Sequence, residues 1–276
     1  MKRSFTRFIG VDLGGGRGKT TALAELRMGP CGAEVIEVAT RATRQPWTDE
    51  TLVQRLGVPD PAMVIAIDAP LTQPACNRCE VPVCPGMEAC ADPAVIWLRT
   101  EGRALVRRAS TIAVGGGARP VETAQARLAP YAHRATDVVM TYQRGLLPLA
   151  TLGASNGTIA ARANQLRRRL RSAGYELHAN LLEVSPAATI AALCDPRAAR
   201  GYKRDADPWV TRAQILERLG DLTFAPQSRM AREEVLGNDH CFDAVISAYT
   251  AFLWARDGWA MPEGWHGADG WIAAPP

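Results

Sequence analysis

Four carboxylates stand at conspicuous places in otherwise apolar stretches. Asp12 ends Phe8-Ile9-Gly10-Val11-Asp12, and Asp68 ends Met63-Val64-Ile65-Ala66-Ile67-Asp68. Glu183 interrupts Leu181-Leu182-Glu183-Val184, and Asp243 lies early in a long apolar segment, four residues after Asp239. Carboxylates gathered at strand ends suit Mg²⁺ or Mn²⁺, hard cations that prefer oxygen ligands. A pair of such ions can clamp the attacking and leaving oxygens of an in-line phosphoryl displacement. Like charges in a dry cleft repel, and a cation lets them stay ionised. Taken singly, each acid has an ordinary explanation: a strand-end turn residue, an edge residue facing solvent, or a first-turn helix acid complementing the macrodipole. The set of four is what points to a site, with Asp239 assisting from the same helix face.

A second constellation is sulfur. Of seven cysteines, four are spaced Cys76-x2-Cys79-x4-Cys84-x5-Cys90, with Pro82, Pro85 and Gly86 to turn the chain. Such spacing fits a four-thiolate metal site, either zinc or a 4Fe–4S cluster, and its compactness leans toward the cluster. Its expected role is to staple a coreless segment. Cys31, Cys194 and Cys241 are scattered and read as small core residues.

The turn after Asp12, Gly14-Gly15-Gly16-Arg17-Gly18-Lys19-Thr20, carries two cations suited to phosphate. Gly18-Lys19-Thr20 fits the end of a phosphate-binding P-loop, but Leu13 stands where that pattern needs its first glycine. A P-loop also needs a helix over 20–26, whereas a sheet-turn reading needs a strand there. A looser match to actin-like and sugar-kinase ATPases remains, through Asp12-Leu13-Gly14 and Lys19, although no second copy of the fold is found in the chain. A non-catalytic nucleic-acid-binding or scaffold protein is the third alternative.

The elements that must position these residues follow from hydrophobic period and turn signals. Strands are expected over 5–13 and 63–68, over 33–40 from its β-branched content, and over 180–184. Helices are expected over 48–56, 94–108, 121–142, 158–173, 187–193 (opened by Pro186), 210–219 and 239–256. Residues 74–120 read as an insertion closed by a flexible Gly115-Gly116-Gly117 linker. Arg162, Arg167, Arg168, Arg169 and Arg171, with Arg99, Arg103, Arg107 and Arg108, could meet a nucleic-acid backbone. A solvated amphipathic face explains them slightly better. Trp254, Trp259, Trp265 and Trp271 could stack bases but more readily pack the tail. The four histidines form no ligand pattern. His240 sits beside Asp239 and could join the site, but reads as turned away from Asp243.

The chain has 276 residues, 47% of them apolar and 22% charged, which is ample for a globular core. The formal charge of +4 permits contact with nucleic acid without demanding it. No apolar run approaches transmembrane length, and the start lacks the apolar core of a signal peptide, so the expected location is cytoplasmic.

Six segments occur in order: Gly10-Val11-Asp12, Ile67-Asp68-Ala69-Pro70-Leu71, Arg134-Ala135-Thr136-Asp137, Glu183-Val184-Ser185-Pro186, Gly201-Tyr202-Lys203, and Asp239-His240-Cys241-Phe242-Asp243-Ala244. Together they resemble the domain-of-unknown-function family numbered 429, described as predicted nucleases with an RNase H-like fold. The resemblance implies an α/β, RNase H-like three-layer sandwich with a mixed central sheet, here a single domain over 1–276 interrupted by the cysteine-rich insertion. It implies that Asp12, Asp68, Glu183 and Asp243 hold divalent metal for phosphodiester hydrolysis. Lys19, Arg17 or Arg134 would contact phosphate. Ser185 stands where many relatives would have histidine or tyrosine.

Overall fold

The computed structural model describes residues 4–15, 20–58, 60–115, 128–146, 157–226, 232–262 and 267–276. In chain order, β1 (Arg7–Asp12), β2 (Ala22–Gly29) and β3 (Gly32–Ala39) form an antiparallel meander. A small hairpin of β4 (Arg41–Ala42) and β5 (Gln45–Pro46) leads to α1 (Asp49–Leu56), which Thr48 opens with a reciprocal capping box to Thr51. β6 (Met63–Asp68) then lies parallel to β1. A 3₁₀ turn (Ala75–Arg78) and the cysteine segment precede α2 (Pro93–Trp97). A π-helical turn (Leu98–Gly102) joins α2 to α3 (Arg103–Gly115). There follow α4 (Ala135–Tyr142), α5 (Gly157–Ser172), β7 (Leu181–Val184), α6 (Pro186–Leu193), α7 (Pro196–Arg204) and α8 (Pro208–Arg218). The chain closes with β8 (Leu222–Phe224), α9 (Arg232–Gly237), α10 (Asp239–Asp257) and β9 (Ile272–Ala273).

The main sheet has the strand order β8-β3-β2-β1-β6-β7-β9, with β1 at its centre. The pairings β1–β6, β6–β7, β7–β9 and β3–β8 are parallel, so the sheet is mixed. Side chains alternate between two cores. Phe8, Ala24, Val64 and Ala66 face α10 and its neighbours, whereas Ile9, Val11, Ile65 and Ile67 face α1 and α5. That alternation makes the protein an α/β sandwich with helices on both faces.

Several helices begin where the sequence punctuates them. Proline opens α2, α6, α7 and α8, and the Asp92, Ser185 and Asp195 side chains accept N–H bonds at the starts of the first three. The helix expected over 121–142 is shorter: residues 128–134 are turn, helix begins at Ala135, and 121–127 lie outside the described residues. Gly115 ends α3, while Gly116 and Gly117 lie outside them too. The periodicity missed α7, α9, the short β8 and β9, and the β4–β5 hairpin. Among the described residues, no helix is long and apolar enough to cross a membrane.

Candidate functional site

Asp12 and Asp68 are the last residues of adjacent parallel strands and stand directly opposite in register. Phe8, Gly10 and Asp12 share the face of β1 that α10 covers. Gly10 lets the helix come close, because a Cβ there would lie 2.0 Å from the Ala244 carbonyl oxygen and 2.4 Å from the Ala248 nitrogen. The close approach carries the preceding residue, Asp243, to the strand ends. One oxygen from each of Asp12, Asp68 and Asp243 lies within 4.8 Å of the other two.

A histidine and a lysine face this triad. His240 donates from Nδ1 to Asp12 Oδ2 at 2.6 Å. Lys203, at the end of α7, pairs with Asp243, and its neighbour Tyr202 lies against Phe242. Asp243 is fully buried, with the Tyr202 hydroxyl also acting on it, and among the described residues neither of its oxygens accepts a hydrogen bond of normal geometry beyond that ion pair. Burial foremost, with Asp12 adding repulsion against the pull of Lys203, raises the Asp243 carboxyl to about 6. Burial and then the charges of Asp243 and Asp12 push Asp68 well up. Burial works against the Lys203 charge, but Asp243 more than compensates and raises it. The hydrogen bond to Asp12 raises His240. A buried, proton-hungry carboxylate set of this kind is what a hard divalent cation relieves.

The sequence raised His240 as a residue that could join the site but read it as turned away, and gave Lys203 no role there. His240 is three residues before Asp243, and positions three apart share a helix face, so it does not turn away as expected. Lys203 lay in view within Gly201-Tyr202-Lys203, but its helix, rich in arginine and opened by Pro196, gave no apolar signal. Arg212 fixes this corner. Its guanidinium, buried on α8, donates to the Tyr202 carbonyl at 2.8 Å and the Leu236 carbonyl at 2.7 Å, tying α7 to the end of α9 just before α10.

Glu183 and Arg134 need correction. Glu183 pairs in register with Ile67, not Asp68, so strand alternation sends its side chain to the opposite face from the triad. There both carboxylate oxygens are taken: Arg134 donates to them at 2.7 and 2.8 Å, and the Leu71 N–H donates at 2.8 Å. Arg134 is not a phosphate contact either. It is fully buried, with Asp137 accepting at 2.7 and 3.1 Å and the Thr72 hydroxyl at 2.8 Å. Burial disfavours its charge, but Glu183 and Asp137 together raise it. This network fixes the segment that leaves β6 after Asp68. Asp239 is half-buried at the first position of α10, near enough for its charge to act on His240, but outside the close triad.

Arg17 and Lys19 lie outside the described residues. On either side of them, Arg162 links Gly14 and Thr21, donating to the Gly14 carbonyl at 2.6 Å and to the Thr21 hydroxyl at 2.9 Å. Arg167 donates to the Leu71 carbonyl at 2.9 Å, so two of the α5 arginines brace the site's scaffold. Trp254 is buried in the core below α10. The P-loop alternative fails on its own criterion: residues 22–29 are a strand antiparallel to β1, where a phosphate loop needs a helix.

A family model described as a protein of unknown function (DUF429) matches residues 10–264. No curated protein and no solved structure matches the chain.

Proposed function

The chain belongs to the DUF429 family, and from that premise we propose that it is a divalent-metal-dependent nuclease hydrolysing phosphodiester bonds at Asp12, Asp68 and Asp243. The observation that carries the reading is the meeting of three carboxylate oxygens from two parallel strand ends and a late helix within 4.8 Å. An RNase H-like fold is supported by the same arrangement: a three-strand antiparallel meander running into parallel strands, with the third acid brought in by α10.

The donor set is all oxygen, and its three carboxylates outnumber the one lysine paired with them, which fits Mg²⁺ or Mn²⁺. When bound, the cation supplies charge stabilisation to a phosphoryl group and lowers the pKa of water. The chain's own residues do the remainder. Asp12 and Asp68 hold their oxygens side by side because the parallel register fixes both backbones. Lys203, with 40% of its side chain exposed, balances the triad's charge and presents an ammonium to an incoming phosphate. His240 is also 40% exposed, with Nδ1 held on Asp12, which leaves Nε2 to exchange a proton with solvent or a substrate oxygen.

The test is cleavage of labelled DNA and RNA, single- and double-stranded, with Mg²⁺, Mn²⁺ or EDTA. Metal-dependent cleavage that falls to background in Asp12→Asn, with circular dichroism unchanged, supports the proposal. Normal cleavage by Asp12→Asn would overturn the site. Saturable ATP binding lost on Lys19→Ala, without any nuclease activity, would move the same acids to a phosphotransfer reaction.

A further inference from the structure

Residues 79–91 run over the surface with almost no core beneath them. Val81 and Val83 are 60% and 80% exposed. Apolar support comes from Ala75, Ala94 and Val95, with Met87 and Cys90 against them, and from Leu98, Leu128 and Val138, which Met87 also packs against. So little burial does not offset the entropy of ordering such a stretch. What the segment carries instead is four free thiols, Cys76, Cys79, Cys84 and Cys90.

Its backbone is pinned as a ligand loop would be. The Cys76 N–H donates to the Pro130 carbonyl at 3.1 Å, and the Cys79 N–H returns to the Cys76 carbonyl at 3.4 Å. Arg99 reaches back from the π-helical turn and donates to the carbonyls of Met87, Glu88 and Cys90 at 3.0, 2.9 and 2.8 Å. The Val81 N–H points at Cys79 Sγ, 3.5 Å away. Amides aimed at sulfur stabilise thiolate over thiol and are a recurrent support of iron–sulfur ligands.

We propose that Cys76, Cys79, Cys84 and Cys90 ligate one [4Fe–4S] cluster at a site separate from the carboxylate triad. The compact spacing separates this from zinc: structural zinc more often uses two Cys-x2-Cys pairs divided by a longer loop, whereas Cys76-x2-Cys79-x4-Cys84-x5-Cys90 is a single knuckle that can give one thiolate to each iron of a cubane. Each thiol releases its proton and forms one sulfur–iron bond to an assembled cluster of iron and inorganic sulfide, with no electron transferred.

The cluster's position gives it a structural task. Arg78, between Cys76 and Cys79, pairs with Asp92 at 3.3 Å and with Asp269 at 3.4 Å. Asp269 in turn accepts the Ala135 N–H at 2.7 Å, beside Arg134 and its Glu183 network. Closing the cysteine loop therefore braces the segment leading away from Asp68.

The experiment is metal and sulfide analysis of the full-length protein purified anaerobically and, in parallel, reconstituted with iron and sulfide. About four irons and four acid-labile sulfides per chain are expected, with visible absorbance that bleaches on reduction. Cys84→Ser should lose more than half of the iron, while Cys31→Ser, exposed but outside the loop, should keep it. One zinc per chain, an iron content unchanged in Cys84→Ser, or four thiols that titrate freely after reconstitution would each overturn the assignment. The wild-type stoichiometry decides the matter even where a variant does not fold, and none of these readouts depends on nuclease activity.

Discussion

Arg134 is a fully buried cation that holds two acids, and the arithmetic of such groups is lopsided. Pairing barely repays desolvation, but removing one partner strands the others, at a cost of about 3–5 kcal/mol. Arg134→Met should therefore lower the unfolding free energy read from urea titration by that much, because Glu183 and Asp137 keep their burial and lose their donor. Adding Glu183→Gln should recover part of the loss. Unchanged stability together with weakened nucleic-acid binding would return Arg134 to the role of a phosphate contact. Lys203 makes the opposite kind of case, since its partner also belongs to the triad. Lys203→Met removes the nearest countercharge, so the metal-free protein should melt lower and the melting shift on adding Mn²⁺ should grow, read by differential scanning fluorimetry. At this scale the sequence was readable where one residue type ended an apolar run, as at Asp12 and Asp68. It misled at Glu183 because the face an acid points to depends on strand register, which Leu181-Leu182-Glu183-Val184 does not carry. Asp68 has Ile67 as the neighbour that pairs with Glu183, and that one-residue difference in phase sends the two acids to opposite faces.

The site exists because elements approach closely, and the closest approach is α10 over β1. Gly10 is the permissive residue. A methyl there would sit far inside contact distance of the Ala244 carbonyl and the Ala248 nitrogen, backbone atoms that cannot rotate away. Gly10→Ala must push α10 off the sheet, taking Asp243 from Asp12 and opening a packed core. Overpacking of this kind costs about 1–3 kcal/mol or more. The variant should both melt lower and bind Mn²⁺ more weakly, whereas a surface control such as Gly220→Ala, with open space around it, should do neither. Retained Mn²⁺ affinity in folded Gly10→Ala would show that the helix approach does not set the triad. The strands around Gly10 were legible as apolar runs bounded by turns, and α10 as a long segment with apolar residues at core spacing; its capping Asn238 came only with the structure. The strand β2 was ambiguous, since Ala22-Leu23-Ala24 fits either period, and only pairing with β1 resolves it. Short elements such as β9, Ile272–Ala273, depend on a neighbouring strand edge for their identity and leave no periodic trace.

Across the whole molecule, two sets of buried groups pull stability in opposite directions with pH. Asp68 and Asp243 are raised in the fold, Asp243 from 3.8 to about 6, so the folded chain keeps protons that the unfolded chain has released. Their contribution therefore falls as pH rises through that window, and a divalent ion that holds them ionised removes the penalty. The Mn²⁺-induced rise in melting temperature should accordingly be larger at pH 7.5 than at pH 5. His178 acts the other way. Burial, and then Arg167, lowers it from 6.5 to about 4, and its Nε2 is buried without a hydrogen bond among the described residues. Between those values the unfolded chain binds the proton and the folded chain does not, so stability present above pH 6.5 is lost on acidification, by up to roughly 3 kcal/mol. His178 has φ of 65°, a left-handed conformation that asparagine tolerates, which makes His178→Asn the substitution that removes the titration and keeps the backbone. Under metal-free conditions the two slopes offset each other. With Mn²⁺ present the acid loss should steepen in the wild type, and His178→Asn should flatten it between pH 6.5 and 4.5. Parallel pH profiles for the two proteins would show that His178 does not carry the acid sensitivity.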